Sequence, residues 1–266
     1  MQKFTVKENY TSEDLFSLVR ALRDPLNGCP WDKEQTHESI RQNFIEETYE
    51  ACEAIDLKDS DLLKEELGDV LLQVALHAEM ESEKGIFNID DVADGICKKL
   101  VLRHPHVFGD VAADSSDKVL LNWEAIKRDE KKQQSGTDAI EAVPKSLPAL
   151  MRSQKVQKRA AYVGFDYPDT DSAFEELKSE LEELHEAIGE STNIEEELGD
   201  LIFAAVNIAR FCKIDAERAL EKACDKFARR FALVEIMAAE EKIDMIKSDM
   251  DTLNVLWNRA KQNTDL

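Results

Sequence analysis

The chain has 266 residues, enough for one large or two small domains with real cores. Lys and Arg total 34 against 56 Asp and Glu, a formal charge of −22, which excludes neutralisation of a nucleic-acid polymer and suits cations, or anions approached through bound cations. With only 9 Gly and 6 Pro, and little strand-like alternation, the composition predicts a nearly all-α protein. The opening MQKFTVKENY lacks the apolar core of a signal peptide, and no apolar run approaches the roughly 18 residues of a membrane span. Cys29, Cys52, Cys97, Cys212 and Cys224 are odd in number and show no C-x-x-C spacing. They read as reduced thiols of a cytoplasmic protein without a membrane partner.

The first predicted helix lies in YTSEDLFSLVRAL (10–22), which opens on a Ser/Thr–acid cap signal and spaces Leu15, Leu18, Val19 and Leu22 helically. DPLNGCPW (24–31) breaks it. Two acidic helices follow, EETYEACEAI (46–55) and EELGDVLLQVALHAEM (65–80), then KKLVLRHPHVF (98–108) and NWEAIK (122–127). RDEKKQQSGTDAIEAVPKSLP (128–148) combines charge, Ser-Gly, two prolines and little apolar periodicity, so its middle reads as a linker. Beyond YVGFDYPDTDS (162–172), where Asp171 or Ser172 is expected to cap the next helix, the order repeats. SELEELHEAI (179–188), EELGDLIFAAVNIARF (196–211), DKFARRF (225–231) and LWNRAK (256–261) match the earlier features in turn. The chain is therefore expected to hold two divergent copies of one helical unit, at 1–130 and 146–266, joined by a linker at 131–145. The apolar stripe of each acidic helix calls for four-helix cores, completed by pairing between repeats or between chains.

At about 100° per residue, Ile40, Phe44, Ala51 and Ala54 fall within about 60° of Glu47, with Glu50 at the edge of the stripe. Leu62, Leu63, Val70 and Gln73 surround Glu66, flanked by Asp69. In the second unit Glu180 sits among Leu177, Leu184 and Ala187 beside Glu183, and Glu197 among Ile194, Leu201, Ala204 and Ile208 beside Asp200. Four inward acids per unit, in two i,i+3 pairs, carry a desolvation cost of several kcal/mol each and repel one another. A divalent metal offsets both, and an all-oxygen set selects hard ions, Mg²⁺ first and Mn²⁺ next. Gly68 and Gly199 are expected to permit close backbone approach beside the ion, since a helix-interior glycine costs about 1 kcal/mol against alanine.

Mg²⁺ commonly bridges to phosphate oxygens, and each unit ends in residues suited to a phosphorylated ligand. Lys99 with Arg103 and Lys226 with Arg230 are i,i+4 pairs, as are Trp123 with Lys127 and Trp257 with Lys261. A Trp offers a stacking surface for a base and a Lys a charge for phosphate. The bland alternatives are solvated helix faces for the cations and core packing for the tryptophans. Two rival sites are weaker. A di-iron bundle wants E-x-x-H helices facing the acids, but Glu182 and His185 turn away from Glu180. A zinc site from Cys97, His104 and His106 lacks a C-x-x-C partner. A non-catalytic rival is a nucleotide-binding regulatory or dimerisation module.

The motifs GCPWDKEQTH (28–37), EETYE (46–50), EELGD (65–69), RHPHVFGD (103–110), SLPALMRSQKVQKRAAYVGFD (146–166) and the second EELGD (196–200) together resemble the MazG family of bacterial tandem-domain nucleoside triphosphate pyrophosphohydrolases, over nearly the full length. The resemblance implies Mg²⁺-dependent hydrolysis of NTPs to nucleoside monophosphate and pyrophosphate by a homodimer of helical units. It carries metal-ligand roles to Glu180, Glu183, Glu197 and Asp200, the expected catalytic set, and to Glu47, Glu50, Glu66 and Asp69 in the first repeat. Nucleotide contacts carry over to Lys226, Arg230, Trp257 and Lys261, with catalysis expected mainly in the second repeat. One departure is visible: the family can place a basic residue one turn before the first metal Glu of that repeat, where this chain has Glu176, with Lys178 on another face.

Overall fold

A computed structural model of the chain describes residues 4–109, 111, 115–130 and 135–264. Among them there are helices and no strands, so the protein is all-α. It divides into two compact units, Met1–Lys127 and Arg128–Leu266. No described helix is long and apolar enough to cross a membrane, and all five cysteines are free thiols.

The first unit contains α1 (Ser12–Leu22), α2 (Pro30–Glu34), α3 (Arg41–Leu57), α4 (Ser60–Glu83), α5 (Ile89–Arg103) and α6 (Pro105–Phe108). The expected cap of α1 is present: Thr11 Oγ1 accepts from the Asp14 amide, and the Asp14 carboxylate accepts from the Thr11 amide. α1, α3 and α5 all pack on α4. Val19, Ile40, Ala75, Leu76 and Met80 form the core, with Leu15, Phe16 and Leu72 against it.

The break after α1 is a built corner. Gly28 admits no side chain, because a Cβ there would lie 2.3 Å from the Leu22 carbonyl oxygen. Arg23, only 7% exposed, ties the corner to α4. Its Nε and Nη2 donate to Glu83 at 2.6 and 3.0 Å, and its Nη1 donates to the Asp32 and Gln35 carbonyls at 2.5 and 3.2 Å. Beside it, His37 and His77 stack at 4.9 Å with their Nδ1 atoms 2.6 Å apart. His37 Nε2 lies 2.7 Å from Glu81, which also accepts from Lys84 at 2.7 Å. Burial and the adjacent His37 hold the His77 pKa below the ordinary imidazole value.

α7 (Ser116–Glu130) precedes the second unit's α8 (Gly136–Glu141), α9 (Ala149–Ala161), α10 (Thr170–Glu190), α11 (Ile194–Phe211), α12 (Ala216–Glu240) and α13 (Met250–Thr264). The expected linker at 131–145 holds α8, while its residues 131–134 lie outside the described residues. Ser135 and Asp138 close a capping box on α8, and Ala139 and Val143 are buried, which packs the segment onto α9. A short helix with two apolar anchors was hidden by its polar flanks. The cap of α10 also differs from expectation: it is Asp169, which accepts from the Ser172 amide, so Asp171 and Ser172 lie inside the first turn. α10 pairs with α11, and α9 packs on both α11 and α12. A separate core joins α12 to α13 through Val234, Met237, Ala238, Leu256 and Ala260.

Candidate metal and nucleotide site

The acids sit where two helical hairpins align them. α3 turns into α4 through Lys58 in the left-handed region (φ 57°), and α10 turns into α11 through Ser191 and Asn193 (φ 57° and 46°). These short turns set the helices side by side, so an i,i+3 pair on one faces a pair on the other. In the first unit Glu47, Glu66 and Asp69 bring one oxygen each within 4.8 Å of one another, and in the second Glu180, Glu183 and Glu197 do the same. The fourth acid of each set stands close by. Glu50 hydrogen-bonds Glu47 and repels Glu66, and Asp200 repels both Glu180 and Glu197. The hairpins therefore gather both predicted sets, with a different trio tightest in each.

Burial is the main cause that raises the carboxyl pKa values of Glu47, Glu66, Glu180 and Glu197 above the ordinary range. Like charges add to it: Asp69 for Glu47, Glu50 for Glu66, and Glu183 for both Glu180 and Glu197. Among the described residues no Lys or Arg forms an ion pair with any of the eight. Glu47, Glu66, Asp69, Glu180 and Glu197 are half-buried, whereas Glu50, Glu183 and Asp200 are exposed, so the inward set is smaller than the spacing predicts. An all-oxygen cluster without a cationic partner still fits a divalent cation by the chemistry of its donors. Gly68 and Gly199 do not serve close packing within the protein, because a Cβ at either would meet no protein atom within 4 Å. Both face open space on their helices.

Two acids of the second unit's set border a cavity of 520 Å³ between α9, α10, α11 and the loop before α10. Glu180 and Asp200 line one part of it, and Val156, Ala160, Ala173, Phe203 and Ala204 supply apolar wall. Gln157, Asp166, Tyr167, Glu176, Asn207 and Arg210 supply its polar lining. Arg210 holds the loop to α11, with Nη1 donating to Asp166 at 2.9 Å and Nε to Asn207 Oδ1 at 2.9 Å. Burial raises the Tyr167 phenol pKa, and Glu176, hydrogen-bonded to it, raises it further. Glu176, the departure from the family pattern, thus faces this cavity in place of a cation.

The predicted cation and aromatic residues fall elsewhere. Lys226 and Arg230 are on α12, Trp257 and Lys261 on α13, and none of the four lines the cavity. Trp257 packs against the α12–α13 core with its ring 5.2 Å from Phe227. In the first unit the Arg103 guanidinium lies 5.4 Å over the Trp123 ring, and His104 meets that ring edge-on at 5.0 Å. Lys99 shares α5 with Arg103, and Lys127 shares α7 with Trp123. The zinc alternative finds no cluster among the described residues: Cys97 is exposed, and His104 Nδ1 is 2.6 Å from the Leu100 carbonyl. Gln157, Tyr167, Asn207 and Arg210 escaped the sequence reading. The signal for Gln157 was present, as a polar residue within about 60° of Leu150, Ala160 and Ala161 on α9, the same test that singled out the acids.

The MazG nucleotide pyrophosphohydrolase domain matches this sequence twice, over residues 35–108 and 169–234. The chain belongs to the MazG family. It is 46% identical to the nucleoside triphosphate pyrophosphohydrolase of Escherichia coli K12 over 95% of this chain and 98% of the relative. It is 43% identical to the nucleoside triphosphate pyrophosphohydrolase/pyrophosphatase MazG of Thermotoga maritima, over 94% of this chain and 95% of the relative. It is also 49% identical to the Bacillus subtilis protein YabN, over 92% of this chain and 50% of that longer protein. Each MazG match encloses one hairpin and its full acid set, so the duplication is one of MazG domains.

Proposed function

We propose that this MazG protein hydrolyses nucleoside triphosphates, ribo- or deoxyribo-, to nucleoside monophosphate and pyrophosphate, with Mg²⁺ (or Mn²⁺) and mainly in its C-terminal unit. The reaction class follows from the family and from the named activity of the Escherichia coli and Thermotoga maritima relatives. The single observation that carries the site is the Glu180–Glu183–Glu197 cluster, without a cationic partner, whose Glu180 also lines a ligand-sized cavity.

Glu180, Glu183, Glu197 and Asp200 hold the metal in this reading. The bound ion supplies charge neutralisation of the triphosphate and favours ionisation of water. A carboxylate of the cluster, Glu180 or Glu183, orients the attacking water at the α-phosphorus and takes its proton. Without an ion, burial and the adjacent Glu183 move the Glu180 pKa upward, so the charged form gains from a bound cation. Lys226 and Arg230 offset charge on the departing pyrophosphate, and Trp257 and Lys261 are the further nucleotide contacts the family pattern assigns. Glu47, Glu50, Glu66 and Asp69 hold a second ion, with Lys99, Arg103, Trp123 and Lys127 as the first unit's ligand contacts. The protein acts as a cytoplasmic homodimer. Support for pairing comes from apolar side chains left exposed on α5 (Ile96, Leu100) and α12 (Leu220, Phe227).

The test is a panel of NTPs and dNTPs with Mg²⁺ that resolves pyrophosphate from orthophosphate. Pyrophosphate release is expected, and orthophosphate release would mean attack at the γ position and would overturn the reading. Glu197→Gln and Asp200→Asn should each abolish turnover with unchanged helix content. Glu66→Gln should retain most of it if the C-terminal unit dominates.

A further inference from the structure

We propose that the cavity between α9, α10 and α11 is the nucleobase pocket of this site, and that Gln157 Oε1 is the acceptor that receives a base N–H. This rests on the nucleotide reading above and adds to it the residues that hold the base.

Gln157 is 6% exposed and lies in the cavity wall. Its Nε2 donates to the Phe203 carbonyl at 2.7 Å. A carbonyl oxygen only accepts, so this bond fixes which end of the amide is which. The other end, Oε1, is buried and has no hydrogen-bond partner. A buried acceptor without a partner is a standing cost to the fold unless a ligand or water completes it. The walls around it are apolar and aromatic, from Val156, Ala160, Ala173, Phe203 and Tyr167. Such walls suit a flat heteroaromatic ring whose edge carries an N–H donor.

The charges locate the other end of the ligand. The cavity's own cation, Arg210, is taken up by Asp166 and by Asn207 Oδ1. Glu176 adds negative charge, so the cavity interior is a poor place for phosphate. Glu180 and Asp200 belong to both the cavity and the acid cluster. A nucleotide with its phosphates at the metal edge and its ring beside Gln157 satisfies both ends at once. Arg210 occupies Asn207 Oδ1, which leaves the Asn207 Nδ2 as a second polar atom for the base edge. The volume of 520 Å³ is within the range of about 300–1,000 Å³ that small-molecule sites occupy. Trp257, with its ring against Phe227 and the α12–α13 core, is outside this pocket.

The test uses equilibrium binding of the four α,β-methylene NTP analogues, with Mn²⁺, to the full-length protein. Inorganic tripolyphosphate is the base-free control. Gln157→Leu removes the acceptor, and Ala160→Leu fills the pocket from the same helix without touching Gln157. Circular dichroism checks both folds. Gln157→Leu should weaken at least one analogue about tenfold, the loss of one hydrogen bond to a buried group. Ala160→Leu should weaken all four. Tripolyphosphate affinity should not move in either variant. Equal analogue binding by wild type and both variants overturns the proposal. So does a parallel loss of analogue and tripolyphosphate binding, which would place the effect at the phosphates. Pyrophosphate release from NTPs by the wild type is read separately: its absence refutes the reaction and leaves the binding comparison intact.

Discussion

Replacing Glu180 with Gln should stabilise the metal-free protein and remove most of the stabilisation that a divalent ion confers. The wild-type sign follows from the raised carboxyl pKa values of Glu180 and Glu197. A carboxyl raised above its ordinary 4.5 binds protons in the folded state before the unfolded state does. Folded stability without metal therefore falls as pH rises from 4.5 through the raised values, then levels off with the cluster fully charged. Added Mn²⁺ or Mg²⁺ reverses that loss. An ion at a hundred times its dissociation constant contributes about 2.7 kcal/mol. For a unit the size of Arg128–Leu266, about 4 °C of Tm per kcal/mol gives a rise of about 10 °C. The assay is differential scanning calorimetry of wild type and Glu180→Gln, with and without Mn²⁺, at about pH 5 and about pH 8. The wild-type shift should be larger at the higher pH. A variant less stable than wild type without metal at the higher pH would refute the reasoning. An undiminished metal shift in the variant would refute it too.

Two further outcomes test the first unit. The depressed His77 pKa means that unfolded chain takes a proton first as pH falls below 6.5, so stability should drop from there down to the folded value. His37, Glu81 and Lys84 face that ring system, and the lowered Glu81 pKa acts only below 4.5. The raised Glu carboxyls titrate in both proteins, so the wild-type urea midpoint should fall relative to that of His77→Gln as pH drops below 6.5, and a constant difference would count against the buried neutral ring. Arg23→Met should cost about 2 kcal/mol, because it leaves Glu83 and two half-buried carbonyls short of a charged donor, while the partial exposure of Glu83 limits the loss. Arg23→Lys should restore less than half, since an ammonium cannot span Glu83 and both carbonyls. Urea unfolding reads both, and a Lys variant as stable as wild type would count against the fork geometry.

The all-α class, the duplication and the half-buried acids were legible because each leaves a periodic trace, while Glu50, Glu183 and Asp200, expected to face inward, are exposed. Ile40, Ala51 and Ala54, the positions placed beside Glu47 by helical spacing, are buried. Glu47, Glu66, Glu180 and Glu197 are the half-buried acids whose pKa values rise. What periodicity could not reach was contact between elements distant in sequence. Arg23 meets Glu83 sixty positions later, and Gln157 meets Phe203 forty-six later. Neither partner can be chosen from spacing. α8 was missed because six residues contain too few turns to show a stripe. Gly68 and Gly199 signal space, and among this chain's own atoms that space is open.

The hairpins that align the carboxylates close on Lys58 and on Ser191 with Asn193, side-chain-bearing residues in a backbone region that glycine occupies at no steric cost. Each loop thus works against a mild local preference, at residues outside the two acid clusters. Lys58→Gly or Ser191→Gly offers a route to a more heat-tolerant protein whose chemistry is left alone.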